Sequence, residues 1–295
     1  MSTLQALKTR IQSVNSTRKI TSAMYMVAAA KFRKAQKKYD AAKSYADALT
    51  QVMKALPLSV FDESDNPLIK SNTSGQTLIV LISADRGLCG SFNGQLFRKA
   101  KELCSKLVLE NKRFTLLPIG KKAFEFAKLN YSYCLKESAP LLLYDVLYAD
   151  VHTLFSKIET SFIQDGIEQC ITLHNEYSSP LQQTPRNSVL LPLSDALKAL
   201  NPTAEEPTHI PEFVASESKF LDAFLQQYLQ GILWSSITQT LVGEFAARMT
   251  AMDNATKNCD DMIHGLKLEY NQSRQARITN ELIEIISGAE ALQKG

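Results

Sequence analysis

The chain has 295 residues, of which 45% are hydrophobic and 21% charged, and its formal net charge is +3. A hydrophobic fraction of this size supplies the core of one large domain, or of a domain with appendages. No run of 18 apolar residues is present, which excludes an apolar membrane-spanning helix. The opening MSTLQALKTR lacks the apolar centre of a signal peptide, so a cytosolic protein is expected.

The net charge conceals an asymmetry along the chain. Residues 1–56 contain eleven Lys or Arg and only two acidic residues. A basic segment of this kind binds nucleic acid, a membrane surface or an acidic protein, or is simply a solvated helix face. All ten prolines lie between Pro57 and Pro211. Because proline costs about 3 kcal/mol inside a helix, we expect an N-terminal coiled-coil helix (1–56), a central α/β domain (57–211) and a C-terminal coiled-coil helix (212–295).

The first predicted element is the long N-terminal helix. Its larger apolar residues recur at three- and four-residue spacing and resume after a polar step: Leu4, Leu7, Ile11, Val14, Ile20, Met24 and Val27. Farther along, the apolar stripe consists mostly of alanine. A helix of 50 residues is about 75 Å long, so it requires a partner of similar length.

The middle segment alternates predicted strands with predicted helices. The run TLIVLI at 77–82 is continuously apolar, as in a strand buried on both faces. Further strands are expected at 113–120, at 168–177 and in SVLLPL at 188–193, with helices between them. This alternation predicts an α/β sheet of Rossmann-like βαβ units. The stretch 178–211 contains six prolines and is otherwise interpreted as loop.

The first predicted strand is followed by SADRGLCGSFNG, residues 83–94. A phosphate-binding loop belongs at this place, but the spacing of Gly87, Gly90 and Gly94 fits neither G-x-x-x-x-G-K-[ST] nor G-x-G-x-x-G. We therefore expect a tight strand-to-helix turn, with Asn93 as a helix cap and with Asp85 and Arg86 paired in the turn.

The last predicted element is the C-terminal helix. Two columns with seven-residue spacing describe the seam of a coiled coil: Met252, Cys259, Leu266 and Ser273, and Met249, Thr256, Ile263 and Tyr270. The end of this helix, ITNELIEIISGAEAL, is more apolar than two packed helices require. It is either an ordinary buried helix or a tip that another protein receives.

A catalytic centre is not apparent. The chain contains neither G-x-S-x-G nor H-E-x-x-H, and its cysteines and histidines lack zinc-ligand spacing. Asp145, Asp150 and His152 lie on one helical stretch and are interpreted as surface residues rather than as an acid/base pair. We therefore expect a non-catalytic protein without metal or cofactor.

The aromatic residues of the basic helix argue against nucleic-acid binding. Tyr25, Phe32 and Tyr39 are seven residues apart, so they line one side of the helix. That arrangement favours packing over base stacking. Nucleic acid would also leave the α/β domain and the C-terminal helix without a role.

Three motifs resemble those of one family, the gamma subunits of F-type rotary ATP synthases. They are STRKITSAMYMVAAAKFRKAQ (16–36), SADRGLCGSFN (83–93), and EFAARMTAMDNATKN with YNQSRQARITNELIEIISGAEAL (244–292). The resemblance implies an antiparallel coiled coil of the terminal helices inside a ring of alpha and beta subunits. It also implies contacts of the α/β domain with the epsilon subunit and the c-ring. The implied role is a central-stalk rotor that transmits torque to the catalytic beta subunits.

The resemblance further implies a peripheral membrane protein that reaches the membrane only through the complex. The expected place is the cytoplasmic face of a bacterial inner membrane, or the matrix side in a mitochondrion. Residues expected to couple rotor and stator are Lys19, Ile20, Thr21, Met24, Arg248, Arg274, Gln275, Asn280, Glu281 and Glu284. A basic face that turns against the surrounding sleeve is expected from Lys31, Arg33, Lys34, Lys37 and Lys38. Asn280 and Ile283 stand where the family pattern I-T-Q-E-L-T-E has Gln and Thr.

The competing hypothesis is an α/β nucleotide-binding protein or enzyme whose coiled-coil arms serve for dimerisation. ATP binding or hydrolysis by the isolated chain would favour that alternative. A basic coiled-coil protein that binds nucleic acid would instead show steeply salt-dependent affinity for DNA.

Overall fold

A computed structural model describes residues 4–57, 60–61, 64–70, 72, 75–136, 142–144, 146–194, 197 and 217–293. Its longer elements, in chain order, are α1 (Leu4–Ala55), β1 (Gln76–Ile82), α2 (Phe92–Leu109), β2 (Arg113–Ile119), α3 (Lys121–Asn130), α4 (Tyr148–Gln164), β3 (Gln169–Ser179), β4 (Gln182–Leu191) and α5 (Glu217–Gln293). A short 3₁₀ turn, Ser132–Cys134, follows α3. The predicted fold class, two long terminal helices with a central α/β sheet, is confirmed.

The chain folds as two compact units. Met1–Ala28 and Met249–Gly295 form unit 1, and Ala29–Arg248 forms unit 2. Helices α1 and α5 each contribute one segment to both units. The domain boundaries predicted from proline, after residues 56 and 211, stay predictions, and residue 211 lies outside the described residues.

Unit 1 is an antiparallel pair of helical segments. The Thr256 hydroxyl donates to the Thr21 hydroxyl at 2.8 Å, and Arg18 pairs with Asp260 at 2.5 Å. Partners on α1 and α5 therefore run in opposite directions. The predicted column Met252, Cys259 and Leu266 is buried, and Ser273 at its end is half-buried. The heptad seam read from α5 is thus present.

The predicted apolar stripe of α1 is buried or half-buried except at two residues, Ile20 and Val27. Thr21 is 9% exposed, whereas Ile20 is 60% exposed and Val27 is exposed as well. The reason is the seven-residue spacing from Leu7 to Thr21, which keeps one side of the helix on its partner. Ile20 lies one residue from that column, which places it about 100° around the helix. Judged by hydrophobicity alone, Ile20 was therefore assigned to the seam in place of its neighbour Thr21.

The end of α5 has no helical partner among the described residues of unit 1. Since Thr21 lies opposite Thr256 and Arg18 opposite Asp260, the start of α1 at Leu4 lies near residue 273. Beyond that point five large apolar side chains are exposed: Ile278, Leu282, Ile283, Ile285 and Ile286. The alternative of an ordinary buried terminal helix is wrong for these residues.

Unit 2 is built around a four-stranded sheet in the order β2-β1-β3-β4. Strands β1, β2 and β3 are parallel, and β4 pairs antiparallel with β3. Strand β1 is apolar on both faces because helices cover both. Leu78 and Val80 belong to a cluster with α4 and with the unit 2 segments of α1 and α5. Ile79 and Leu81 pack with α2 and α3 on the other face.

Strand β4 corrects the loop predicted for 178–211. Gln182–Leu191 pairs with β3 over almost its whole length, including Pro185 opposite Asn175. Proline lacks the N–H of a ladder residue, yet an edge strand tolerates it, and β4 is the last strand of the sheet. Proline count therefore misled the assignment here. Residues 195–196 and 198–211 of the predicted loop lie outside the described residues.

A partly buried polar chain links β3, α5 and α1 in unit 2. His174 on β3 lies 3.0 Å from the Gln239 amide oxygen, and the Gln239 amide nitrogen donates to the Tyr39 hydroxyl at 3.4 Å. The other ring nitrogen of His174, Nδ1, is buried without a hydrogen-bond partner. Burial lowers the pKa of His174 to about 4. Neutral imidazole is therefore the form that the folded protein holds.

The glycine after β2 provides the first testable prediction. Gly120 has φ +94°, and a Cβ there would lie 2.1 Å from the backbone oxygen of Ser83. We expect Gly120→Ala to lower the free energy of unfolding by about 2–4 kcal/mol, measured by urea denaturation. Gly94→Ala in α2 is the control, since no atom lies within 4 Å of its added Cβ. Equal stability of the two variants would contradict this account of Gly120.

The second prediction concerns pH. Below pH 6.5 the unfolded chain protonates His174 while the folded chain does not, so stability falls with falling pH until about pH 4. The contribution of this group over that range is roughly 3 kcal/mol. His174→Gln should remove that part of the pH dependence, measured as the difference between the two proteins in urea midpoints from pH 7 to 4. Parallel curves for the two proteins would show that His174 does not titrate this way.

Candidate functional site

The N-terminal coupling residues predicted from the resemblance fall into two groups in unit 1. Lys19 and Ile20 are exposed and available to a partner. Met24 is half-buried, and Thr21 lies in the seam, where its hydroxyl also donates to the carbonyl oxygen of Arg18 at 3.0 Å. Of these four residues, only Lys19 and Ile20 therefore present exposed side chains; Val27, which sequence reasoning placed in the seam, is exposed as well.

The C-terminal coupling residues form one exposed segment of α5. Arg274, Gln275, Asn280, Glu281 and Glu284 are all exposed. The Glu281 carboxylate accepts from Arg277 Nε at 2.7 Å, a pair one helical turn apart. Apolar side chains lie between these polar ones. The segment therefore exposes both polar and apolar side chains.

Only three of the five residues predicted for the basic face in unit 2 are exposed. Arg33, Lys34 and Lys37 are exposed. The ammonium of Lys31 lies 4.5 Å from the centre of the Tyr144 ring, and that of Lys38 lies 4.6 Å from the centre of the Trp234 ring. Lys38 also donates to the Val146 carbonyl at 2.7 Å, and burial lowers its pKa. Two of the five cations are thus occupied within their own unit.

Arg248 is also an internal residue of unit 2. Its guanidinium pairs with Glu244 at 2.8 Å, and both side chains are buried. The same nitrogen donates to the carbonyl oxygens of Arg86 and Gly87, at 3.2 and 3.1 Å. Burial raises the pKa of Glu244, and the Arg248 charge opposes that rise. Arg248 therefore reaches the loop after β1 rather than the surface.

The loop after β1 is built differently from the predicted turn. Asp85 accepts from the backbone nitrogens of Lys121, Leu143 and Tyr144, at 3.0, 3.0 and 2.9 Å, where Arg86 was expected as its partner. Asn93 does not cap α2: its side-chain oxygen accepts from the Ala84 nitrogen at 3.2 Å. Both polar side chains therefore hold the end of β1 in place. Burial raises the pKa of Cys89, which makes it a poor nucleophile.

Sequence reasoning missed Glu244, and it assigned Asp85 the wrong partner. The signal available for Glu244 was its position four residues before Arg248, the spacing of a helical ion pair. The partners of Asp85 are backbone groups 36 to 59 residues away, so no local pattern identifies them.

The residues considered for acid/base chemistry have structural contacts. Asp150 accepts from the Leu147 nitrogen at 2.7 Å at the start of α4, and His152 Nδ1 lies 3.2 Å from the Gln230 amide. Asp145 lies outside the described residues. Within the described residues, groups of three or more potential metal ligands are absent. No helix among the described residues is long and apolar enough to span a bilayer.

Comparisons with known proteins agree over the whole chain. The model of the ATP synthase family matches residues 3–292. An ATP synthase gamma chain from Granulibacter bethesdensis is 40% identical, covering 99% of this chain and 100% of the relative, and one from Paramagnetospirillum magneticum is 37% identical with the same coverage.

Solved structures share the fold at low sequence identity. A chain in the Euglena gracilis mitochondrial ATP synthase, OSCP/F1/c-ring, superposes with a TM-score of 0.68 at 18% identity, covering 99% of this chain and 95% of that one. A chain in the Tetrahymena thermophila mitochondrial ATP synthase, central stalk/c-ring, gives 0.59 at 24% identity, covering 80% and 99%.

The two classes of lysine on α1 provide a prediction. Lys38→Gln should lower the free energy of unfolding by about 1–2 kcal/mol, because it removes the contact with the Trp234 ring and the bond to Val146. Lys37→Gln, at an exposed neighbour, should change it by about 0.5 kcal/mol or less. Urea denaturation of both variants measures the difference. A stability loss at Lys37 as large as that at Lys38 would refute the division of the basic face.

Proposed function

The chain belongs to the family of ATP synthase gamma chains, and on that basis we propose that it is the central-stalk rotor of an F-type proton-translocating ATP synthase. In this role it is a non-catalytic subunit that transmits torque from the c-ring to the beta subunits. The observation that carries the proposal is the antiparallel helical pair of unit 1, whose α5 continues past its partner into an exposed apolar segment.

The helical pair suits a shaft on physical grounds. Two helices joined by a heptad seam resist bending and twisting better than one. The bonds between Thr21 and Thr256 and between Arg18 and Asp260 also connect the helices at a defined register. Torque applied to one helix is therefore shared with the other.

The exposed end of α5 supports a contact with a surrounding sleeve. Ile285 and Ile286 are 67% and 59% exposed, and large apolar side chains grouped on a surface mark interaction sites. We assign this segment, with Arg274, Gln275, Asn280, Glu281 and Glu284, to contacts with the alpha and beta subunits. Lys19 and Ile20 of α1 are assigned to the beta subunits. Thr21 and Arg248, being internal, support these contacts without making them.

Unit 2 supplies the remaining contacts in this proposal. The exposed cations Arg33, Lys34 and Lys37 form a basic strip that fits an acidic surface on the stationary subunits. The sheet with its covering helices is assigned to the epsilon subunit and the c-ring. The protein then lies at the membrane through the complex, on the cytoplasmic face in a bacterium.

Reconstitution tests the proposal directly. Purified alpha and beta subunits are mixed with and without this chain, and the ATPase activity of the isolated complex is measured. The chain should co-purify with both subunits and raise ATP hydrolysis, while the chain alone hydrolyses none. Absence of the chain from the complex, or saturable hydrolysis by the chain alone, would overturn the proposal in favour of the alternative enzyme.

The apolar end provides a mutational prediction. Ile285→Ser with Ile286→Ser should leave the urea midpoint of the isolated chain almost unchanged, because both side chains are already exposed. If each is buried in the complex, affinity for the alpha and beta subunits should fall about 10- to 100-fold. Leu109→Ser, at an exposed position at the end of α2, is the control. An unchanged affinity for the double variant would exclude this segment from the interface.

A further inference from the structure

Three of the four most exposed large apolar side chains among the described residues lie at the ends of α2 and α3. Leu129 is 86% exposed, Leu109 is 84% exposed and Tyr133 is 83% exposed. Val108, next to Leu109, is 60% exposed. Single exposed apolar side chains are ordinary on a protein surface, whereas a group of them marks a site of interaction with a protein or a membrane.

The fold of unit 2 brings these helix ends to one edge of the sheet. Arg113, the first residue of β2, follows shortly after the end of α2 and pairs with Gln76, the first residue of β1. The ring of Tyr131, directly after α3, has its centre 5.6 Å from that of Phe114 on β2. Both helices therefore end where the strands begin. We call the following residues the strand-start edge: Val108, Leu109, Arg113, Lys128, Leu129 and Tyr133.

The charges around this edge leave two cations without an acidic partner. Three acidic side chains near the strand starts each pair with a lysine, at 3.8, 2.8 and 2.6 Å: Glu110 with Lys106, Glu168 with Lys112, and Asp165 with Lys136. Arg113 and Lys128 are exposed, and neither has an acidic partner among the described residues. Lys128 also offsets the negative end of the α3 dipole. Since the three pairs cancel, these two cations give the edge an excess of positive charge.

Exposed apolar side chains beside cations fit the chemistry of an anionic lipid surface. Aliphatic side chains enter the boundary between headgroups and acyl chains, and tyrosine is enriched at that depth. Anionic headgroups attract Lys and Arg. Leu109 and Leu129 are each more than four-fifths exposed, so they can enter such a boundary without a change of fold. A rigid protein surface would instead need a separate pocket for each side chain.

We propose that the strand-start edge binds the anionic lipid surface of a membrane directly. The inference goes beyond the proposed rotor function, in which the protein lies at the membrane through its complex. Leu109 and Leu129 enter the headgroup boundary, and Arg113 and Lys128 contact lipid phosphates. Because lipids diffuse freely in the plane of a bilayer, this contact permits the rotation that the proposed function requires.

Vesicle binding by the full chain tests the proposal. The probes are vesicles of phosphatidylcholine alone and vesicles of phosphatidylglycerol and phosphatidylcholine in equal amounts, with binding measured by flotation. At low salt we expect the chain to bind the anionic vesicles at least tenfold more tightly than the neutral ones, and added salt should weaken that binding. Equal affinity for the two kinds of vesicle would overturn the proposal.

The apolar part of the edge is tested by Leu109→Ser with Leu129→Ser. This double variant should keep the urea midpoint of the wild type, because both side chains are exposed, and should bind anionic vesicles at least tenfold more weakly. Leu181→Ser is the matched control. Leu181 is 82% exposed and lies between the end of β3 and the start of β4, away from the strand-start edge. An equal loss of binding in the control would overturn the proposal.

The charged part is tested by Arg113→Gln with Lys128→Gln. Each cation near an anionic surface contributes about fivefold to affinity, so the double variant should bind at least tenfold more weakly. The control is Arg98→Gln with Lys121→Gln, which removes two exposed cations from the opposite part of α2 and α3. Equal losses in the two double variants would show general attraction of a basic protein and overturn the proposed site.

The outcomes for the lipid site and for the rotor are separate. A chain that assembles with alpha and beta subunits but binds neither kind of vesicle refutes the lipid site alone. If the edge variants then weaken assembly of the complex, the edge belongs to a protein partner. A chain that binds anionic vesicles through this edge but does not assemble supports the lipid site and refutes the rotor function.

Discussion

The antiparallel seam between α1 and α5 in unit 1 is the interaction on which the functional account depends. In this seam Thr21 faces Thr256, and Arg18 faces Asp260. Polar residues at a seam reduce stability compared with an apolar seam, but they specify one register. A shaft requires a unique register because a slip would change which residues its exposed end presents. The polar contacts within this otherwise apolar seam are therefore consistent with a rotor.

Three long cationic side chains of the terminal helices make contacts within unit 2. Lys31 and Lys38 extend along α1 to aromatic rings, and Arg248 extends from α5 to the backbone of the loop after β1. In each case a long cationic side chain joins a terminal helix to another element of the unit. Within unit 2, these contacts add polar connections between the terminal helices and the loops at Arg86, Gly87, Tyr144 and Val146 to the apolar packing.

Much of the fold was predictable because it follows from periodicity. The heptad columns of α5, the continuous apolar run of β1 and the proline-free helices each depend on local spacing. The register of α1 was less accessible: Ile20 is more hydrophobic than Thr21, yet only the position of the partner helix decides which one is buried. Strand β4 was obscured by Pro185, which an edge strand tolerates.

The candidate site was predictable in part, through the family motifs. Those motifs predicted Thr21 and Arg248 as coupling residues, but both side chains are buried in the structure. Their partners, Thr256 for one and the carbonyls of Arg86 and Gly87 for the other, are distant along the chain. Sequence spacing cannot reveal such contacts.

Cross-linking across the seam tests the central claim most directly. With the five native cysteines replaced by serine, Thr21→Cys and Thr256→Cys are introduced together, and the chain is assembled with the alpha and beta subunits and oxidised. The account predicts that the disulfide forms and that coupled ATP hydrolysis continues, because the two helices turn as one body. Failure of the pair to cross-link, or loss of turnover that reduction restores, would contradict it.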